Sequence, residues 1–256
     1  MKIAVGPALA ALLALAVCSG LAHADYGTAQ AEVTRLLAGA NVQTQGLTLE
    51  LPDWQEDGAF VPLTLHLQGA QPPVQLSLLR SGEDEPRIAR LQLMAWREPL
   101  ELSTRVRLPQ SQQLIAVARD GRGRVWLAAN SVAVLGSSCL STPMSDPLAG
   151  LGQIKAWADG DAALELRSML RHPMETGRRK NAQGQWLPRR LLRSFEVAAG
   201  QGVLLRVEPF EGLAANPYWR LMLPLGTGPL ELRWRDADGQ SYQTSLSQPA
   251  AASPAH

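Results

Sequence analysis

Hydrophobic and polar residues alternate with a period of two along most of the chain beyond residue 46. In the first half, this pattern recurs in seven short segments separated by Pro, Gly and acidic residues: 47–51, 61–67, 74–79, 88–94, 102–108, 113–118 and 124–135. Such alternation is typical of strands that bury one face against a core. Seven of them predict an antiparallel β-sandwich of about a hundred residues.

The same alternation resumes in the second half. It recurs in segments at 153–157, 162–171, 190–197, 203–209, 218–224, 230–235 and 241–246. Asp238-Gly239 predicts a turn between the last two. The chain is therefore predicted to be all-β, with two small antiparallel sandwiches in sequence.

Three segments depart from the strand pattern. Residues 28–38 place Val33 and two leucines at helical spacing after Thr28, a candidate N-cap, and predict one short helix. Residues 136–152 are rich in Ser, Pro and Gly, which predicts a linker loop between the sandwiches. The tail, 248–256, is rich in Pro and Ala and is predicted to be flexible.

The N-terminus has the pattern of a secretory signal peptide. Lys2 precedes an apolar run at 3–17, and the small-x-small triplet at 22–24 predicts cleavage after Ala24. The run is shorter than a comfortable membrane span and none follows it, so the mature protein is predicted to be exported without a span. In a Gram-negative source, its compartment is the periplasm. Lipidation at Cys18 is the alternative, although a valine precedes it where a small residue is preferred.

Removal of residues 1–24 leaves Cys139 as the lone cysteine in a compartment where thiols normally pair. Its neighbours form a mostly polar stretch, which predicts an exposed thiol. The alternative is a buried cysteine that packs as a small hydrophobic residue. The nearest basic residues along the chain, Arg124 and Lys155, are too distant to guarantee a stabilised thiolate. We interpret Cys139 as a group that other proteins modify, not as a catalytic nucleophile.

The composition excludes several functional classes. With 24 basic and 23 acidic residues, the chain lacks the charge excess of a general nucleic-acid binder. No glycine-rich phosphate loop follows a strand. His66, His172 and His256 make no metal-ligand spacing with the single cysteine. No metal, cofactor or catalytic residue is therefore predicted, while a Cys/His pair assembled in space stays open.

Charge is divided unevenly along the chain. Residues 25–150 hold 10 basic and 13 acidic residues, whereas 151–256 hold 13 basic and 10 acidic residues. Opposite net charges favour packing of the two halves against each other. Much of the positive charge falls between Arg171 and Arg193, where seven basic residues face only Glu175. This stretch is either a solvated loop or a docking patch for an anion or a protein.

Several motifs resemble a known family. The run HPMETGRRKNA at 172–182, Trp186-Leu187-Pro188 and Asn216-Pro217-Tyr218 resemble SoxZ, a subunit of the sulfur-oxidation carrier. Upstream, the segments LELPDWQEDGAFVPLTL (49–65), STRVRL (103–108) and VWLAANSVAVLGSSC (125–139) resemble the SoxY subunit. The chain thus resembles SoxY fused to SoxZ, and it is also similar to a branch associated with periplasmic quinoprotein dehydrogenases.

The resemblance implies two immunoglobulin-like sandwiches: a SoxY-like domain at 25–135 and a SoxZ-like domain at 153–247. Residues 136–152 would carry the cysteine between them. It also implies a periplasmic, non-enzymatic role in which Cys139 holds a thiosulfate-derived or sulfane sulfur adduct. A haem protein would load the thiol and a hydrolase would release sulfate. The HPMETG run is predicted to fix a turn, with Gly177 at positive φ.

Residues 136–152, which we call the cysteine segment, depart from the family pattern. SoxY ends in a free Gly-Gly-Cys-Gly-Gly arm, whereas here Ser137, Ser138 and Leu140 surround Cys139 and a second domain follows. Glycine supplies more flexibility and a smaller cross-section than these residues. The predicted function is a sulfur carrier. The alternatives are an accessory carrier of a quinoprotein dehydrogenase system with a different cargo, and a binding module in which Cys139 is packed.

Overall fold

The computed structural model describes residues 25–136, 148–181, 183–200, 202–226 and 228–248. The predicted signal peptide, Cys139 and nearly all of the predicted tail lie outside these ranges. In the described part of the chain, no helix has the length and hydrophobicity of a membrane span.

The described residues form one α-helix and sixteen strands. These are α1 (Gln30–Leu37), β1 (Val42–Gln43), β2 (Leu47–Glu50), β3 (Trp54–Gln55), β4 (Val61–Leu67), β5 (Val74–Arg80), β6 (Arg87–Leu93), β7 (Leu100–Val106), β8 (Gln112–Arg119), β9 (Val125–Val134), β10 (Ile154–Asp159), β11 (Leu164–Leu170), β12 (Leu192–Ala199), β13 (Gly202–Pro209), β14 (Tyr218–Leu223), β15 (Leu230–Asp236) and β16 (Ser241–Leu246).

The all-β prediction is confirmed. Each of the fourteen alternating segments forms a strand, and the short helix lies where its spacing predicts it. The alternation has the expected cause: along β4, Val61, Leu63 and Leu65 are buried, while the residues between them are partly or fully exposed. The sequence missed β1 and β3, because two residues cannot show a period.

The strands form two sheets that enclose a common core. One sheet has ten strands in the order β1-β9-β8-β5-β6-β13-β12-β15-β16, with β3 also paired to β9. The other has six, in the order β10-β11-β14-β7-β4-β2. All neighbours pair antiparallel except β1 and β3, which run parallel to β9. Side chains from both sheets form one large hydrophobic cluster between them.

The two halves of the chain are joined edge to edge in both sheets. In the ten-stranded sheet, β6 of the first half pairs with β13 of the second, with Leu91 opposite Val207. In the six-stranded sheet, β7 pairs with β14, where the buried Thr104 hydroxyl also donates to the Tyr218 carbonyl at 2.7 Å. Both layers therefore continue across the junction. The periodicity did not predict this arrangement, because it does not specify which strands become neighbours.

Helix α1 covers part of the outer face of the ten-stranded sheet. Val33 packs with Leu79, Ile115 and Val117 in a second hydrophobic cluster. The sequence prediction that Thr28 caps the helix is wrong. Ala29 occupies the N-cap position, and the Thr28 hydroxyl donates instead to backbone carbonyls in the turn after β5. A short 3-10 turn at Gly27–Ala29 precedes α1, so the helix begins at Gln30, one residue later than a cap at Thr28 would place it.

Candidate functional site

The backbone that leads into the cysteine segment is anchored at the end of β9. The amide of Leu135 donates to the Gln55 carbonyl at 3.0 Å, and the amide of Gly136 donates to the Glu56 carbonyl at 3.2 Å. These bonds continue the parallel pairing of β3 with β9. Cys139 lies outside the described residues, three positions beyond Gly136, so chain length keeps it within about 10 Å of that anchor. We call residues 134–136 the root of the cysteine segment.

Two large apolar side chains are exposed here: Leu135 in the root and Trp54 on the neighbouring strand β3. Trp54 is 56% exposed and Leu135 is 66% exposed. Trp54 lies opposite Ala133 in the parallel pair, and Leu135 is two residues further on, so the two side chains share one face of the sheet. The sequence did not single out either residue, because a period-two pattern assigns side chains to alternate faces but does not show which apolar side chains stay uncovered.

The root also packs against Gly58, which lies between β3 and β4 and contacts the segment that follows β7. Gly58 accepts a 2.8 Å hydrogen bond from the Leu108 amide. A Cβ atom at Gly58 would lie 1.7 Å from the Leu108 carbonyl oxygen and 3.2 Å from the Val134 side chain. Only glycine therefore permits this approach. The Ser111 hydroxyl adds a 2.9 Å bond from the Val134 amide.

Arg107, the residue before Leu108, connects this region to the second half. Its amide donates to the Gly212 carbonyl at 2.8 Å, and its guanidinium donates to the Met174 carbonyl at 3.0 Å. Burial lowers the pKa of Arg107 to about 10. Arg80, itself buried, donates to the Arg107 carbonyl at 2.9 Å, and burial lowers its pKa too. Two guanidinium groups thus hold the junction by binding carbonyl oxygens.

The HPMETG run, whose Met174 carbonyl accepts the hydrogen bond from Arg107, forms a tightly bonded turn. The Nδ1 atom of His172 accepts from the Met174 amide at 3.1 Å, and its carbonyl accepts from the Asn216 amide at 2.8 Å. Met174 and Asn216 both have positive φ, as does Gly177 at 81°, in agreement with the turn prediction. His172 is 1% exposed, and burial lowers its pKa to about 4. It is thus a neutral structural residue at ordinary pH.

Residues 175–181 and 183–190 form an irregular antiparallel excursion, which we call the basic hairpin. Isolated bridges join Glu175 to Arg190 and Lys180 to Trp186. Trp186 is 64% exposed, and the Lys180 ammonium lies 4.7 Å from the centre of its ring. The Arg179 guanidinium contacts the Glu175 carboxylate at 2.5 Å.

Arg178 and Arg189 pair with the same carboxylate. They contact the two oxygens of Glu211 at 3.3 and 3.1 Å. The structure therefore brings together Arg178, Arg189 and a glutamate distant in sequence. The sequence could not have identified Glu211, which belongs to the turn after β13.

Three other residues that the sequence singled out contact different partners and form no common site: Arg190, Arg171 and His66. Arg190 pairs with Asp238 at 3.3 Å, and the Arg171 guanidinium donates to the Ala149 carbonyl. His66 lies on β4, 3.2 Å from Glu50. Among the residues that the structure describes, no group of three or more His, Cys, Asp or Glu side chains is arranged to hold a metal ion.

Comparisons with known proteins match both halves of the chain. Residues 33–139 match the family described as "Sulfur oxidation protein SoxY", and residues 154–247 match "Sulphur oxidation protein SoxZ". A solved structure of the sulfur carrier protein SoxY from Chlorobium limicola f thiosulfatophilum is 21% identical, with a TM-score of 0.35. That alignment covers 42% of this chain and 95% of that one. The comparison with curated proteins gives no match.

Proposed function

Because the chain belongs to the SoxY and SoxZ families, joined here in one fused sulfur-oxidation carrier, we propose that Cys139 holds its cargo. The cargo is a thiosulfate-derived adduct that other enzymes attach and process. The protein itself is a carrier and not an enzyme.

One observation carries the proposal: the SoxY match ends on Cys139 itself. The anchored root supports it, since strand pairing stops at Val134 and the backbone bonds of Leu135 and Gly136 fix where the segment leaves the sheet. A thiol that starts from a fixed point and is at most about 10 Å from it can be offered to a partner without disturbing the sandwich.

Loading forms one sulfur–sulfur bond. The Cys139 thiol loses its proton, and its sulfur joins the terminal sulfur of thiosulfate to give a Cys–S–S–SO₃⁻ conjugate. Two electrons leave in this step, and the haem protein that catalyses it accepts them. The thiolate is the reacting form of cysteine, so the partner must supply the base or the cations that favour it.

Release of sulfate is a hydrolysis without electron transfer. Water attacks the sulfonate sulfur and the S–SO₃ bond breaks. The products are a Cys139 persulfide and hydrogen sulfate. A separate hydrolase performs this step. The signal peptide at 1–24 would deliver the carrier to the periplasm, where both partners are expected to act.

Intact-protein mass spectrometry of the chain purified from its native cells tests the proposal. We expect sulfur-containing adducts that disappear on reduction and are absent from a Cys139→Ser variant. The folded protein should also react readily with a thiol reagent. A Cys139 that becomes reactive only after denaturation, or that carries an adduct without sulfur, would contradict the proposal.

A further inference from the structure

We propose that Arg178 and Arg189, which pair with the two oxygens of Glu211, form a binding site for a tetrahedral sulfur oxyanion at the end of the sandwich where the cysteine segment begins. The relevance of such an anion rests on the proposed function, because the sulfonate of a Cys139 adduct belongs to this class. The site itself consists only of arginines and a glutamate whose positions the structure describes.

Positive side chains outnumber the carboxylate at this surface. Arg178 and Arg189 have 58% and 62% of their side chains exposed, whereas the Glu211 side chain that they share is only 11% exposed. Each guanidinium carries five N–H groups in a planar fork, and the contacts to Glu211 engage one terminal nitrogen of each. One carboxylate therefore orients two cations and leaves a net positive charge facing solvent.

Two further arginines, Arg80 and Arg107, carry positive charge beneath this surface. Arg80 acts on Arg178 through space, and Arg107 and Glu211 also interact electrostatically. The side-chain hydrogen bonds of Arg80 and Arg107 go to carbonyl oxygens, which do not cancel a full charge. A partly desolvated charge is also screened less by salt than an exposed one. Three further carboxylates also act on these two arginines, those of Glu83, Glu85 and Glu175. Arg87 pairs with Glu85 and Arg179 with Glu175, so six arginines face four carboxylates and a net positive charge remains.

The arginine pair also lies near the root of the cysteine segment. Val134 packs against Gly58, which is bonded to Leu108, and the adjacent Arg107 is bonded to Gly212, the residue after Glu211. Each step is one residue or one hydrogen-bonded neighbour. The backbone of Glu211 is therefore no more than about 20 Å from that of Gly58. The reach of Cys139 and the length of an arginine side chain cover much of this separation.

The geometry favours an oxyanion with three or more oxygens. Arg178 and Arg189 contact different oxygens of Glu211, and the N–H groups of two guanidinium forks that are not used there can together bind several oxygens of one anion. Sulfate, thiosulfate and the sulfonate end of a Cys–S–S–SO₃⁻ adduct are all anions with three or more oxygens around a tetrahedral sulfur. An anionic reagent that reacts at Cys139 serves as the probe.

Paired thiol reagents test the proposal on the full-length chain. The dianionic disulfide dithiobis-nitrobenzoate and the neutral disulfide dithiodipyridine both react with the Cys139 thiolate, so the ratio of their rate constants removes the effect of the thiol pKa. At low ionic strength, Arg178→Gln/Arg189→Gln should lower the anionic-to-neutral ratio by about threefold or more, since cations raise local anion concentration. Added sodium thiosulfate should lower the wild-type ratio more than sodium chloride at equal ionic strength.

Two controls make the result specific. Arg122→Gln removes one positive charge from the turn before β9, about 30 Å along the strand from the root, and should leave the ratio unchanged. Each matched single variant, Arg178→Gln or Arg189→Gln, also removes one charge and should lower the ratio. Arg178→Lys/Arg189→Lys keeps the charge without the planar forks, so it should retain most of the ratio but lose the selective competition by thiosulfate. Equal ratios for the glutamine double variant and Arg122→Gln would overturn the site. That result would not affect the carrier function, which depends on the adduct found in native protein.

Discussion

His172 shows how one buried residue fixes a turn without taking part in chemistry. Its ring nitrogen and backbone hold Met174 and Asn216 in left-handed conformations, which cost energy for residues with side chains. Its Nε2 atom has no hydrogen-bond partner among the described residues. Protonation would place a charge at an unpartnered, buried position.

The pH dependence of stability should therefore contain a contribution from His172. Burial lowers its pKa from 6.5 to about 4, so the unfolded chain binds this proton more tightly than the folded chain. The resulting loss of folding free energy is absent above pH 6.5 and grows as the pH falls. It is complete below pH 4, where it reaches roughly 3 kcal/mol.

A His172→Asn variant tests this. Asparagine keeps an acceptor near the Nδ1 position but does not titrate. Urea unfolding between pH 7 and pH 4.5 should show wild type losing roughly 1.4 kcal/mol per pH unit more than the variant across the steepest part of the range. Carboxylates common to both chains cancel in the difference. Parallel curves would contradict the lowered pKa.

At the residue scale, the sequence predicted a position of chemical interest, which stays a prediction, but not the surroundings of that position. Counting cysteines against the predicted compartment singled out Cys139. By contrast, Arg107 and Glu211 act through neighbours that are distant in sequence, and no local pattern contains that information.

At the scale of elements, the end of β9 depends on one close approach. Gly58 meets the backbone of Leu108, so any side chain there must displace backbone atoms. Gly58→Ala should destabilise the protein by about 3 kcal/mol or more. It should also speed hydrogen exchange of the Leu135 and Gly136 amides, because their acceptors lie in the segment that has to move. Chemical denaturation and native-state exchange measure the two effects.

Gly202→Ala is the matched control for this substitution. The nearest atom to a Cβ at Gly202 is a carbonyl oxygen 3.8 Å away, and its φ is not in the left-handed region. Stability should change by less than about 1 kcal/mol. Similar losses in both variants would mean that the contact with Leu108 does not hold the root.

The periodic pattern predicted almost every strand because most of them bury one face and expose the other. The exceptions to strict alternation are informative. In β8, Ile115 and Val117 face outward yet are buried, because α1 covers them. The pattern thus gives the elements reliably, while the layer that covers each face depends on packing.

At the scale of the molecule, the two halves share both sheets, and the domain boundaries at 135 and 153 remain predictions from the sequence. Pairing of β6 with β13 and of β7 with β14 should hold the halves together without a covalent link. We expect a chain cut within 144–147, by a protease site engineered there, to stay associated as a one-to-one complex. Gel filtration of cut and uncut protein should give the same elution volume.

Unfolding of the cut complex should then depend on protein concentration, whereas unfolding of the uncut chain should not. This difference follows from mass action, because the cut complex gives two molecules on unfolding. Separate elution of the fragments would show that the shared sheets alone do not sustain the assembly.

The anchoring of Gly136 on one side and of Gly152 on the other has a consequence for the shape of any partner's opening. Gly152 donates to the Arg171 carbonyl at 2.9 Å, so both flanks of the cysteine segment are bonded to the body of the protein. A free arm passes through an opening one chain wide. A segment fastened at both flanks can advance only as a doubled chain, and two adjacent backbones need about 5 Å of additional width. An enzyme that serves this carrier should therefore have a slot in place of a narrow tunnel.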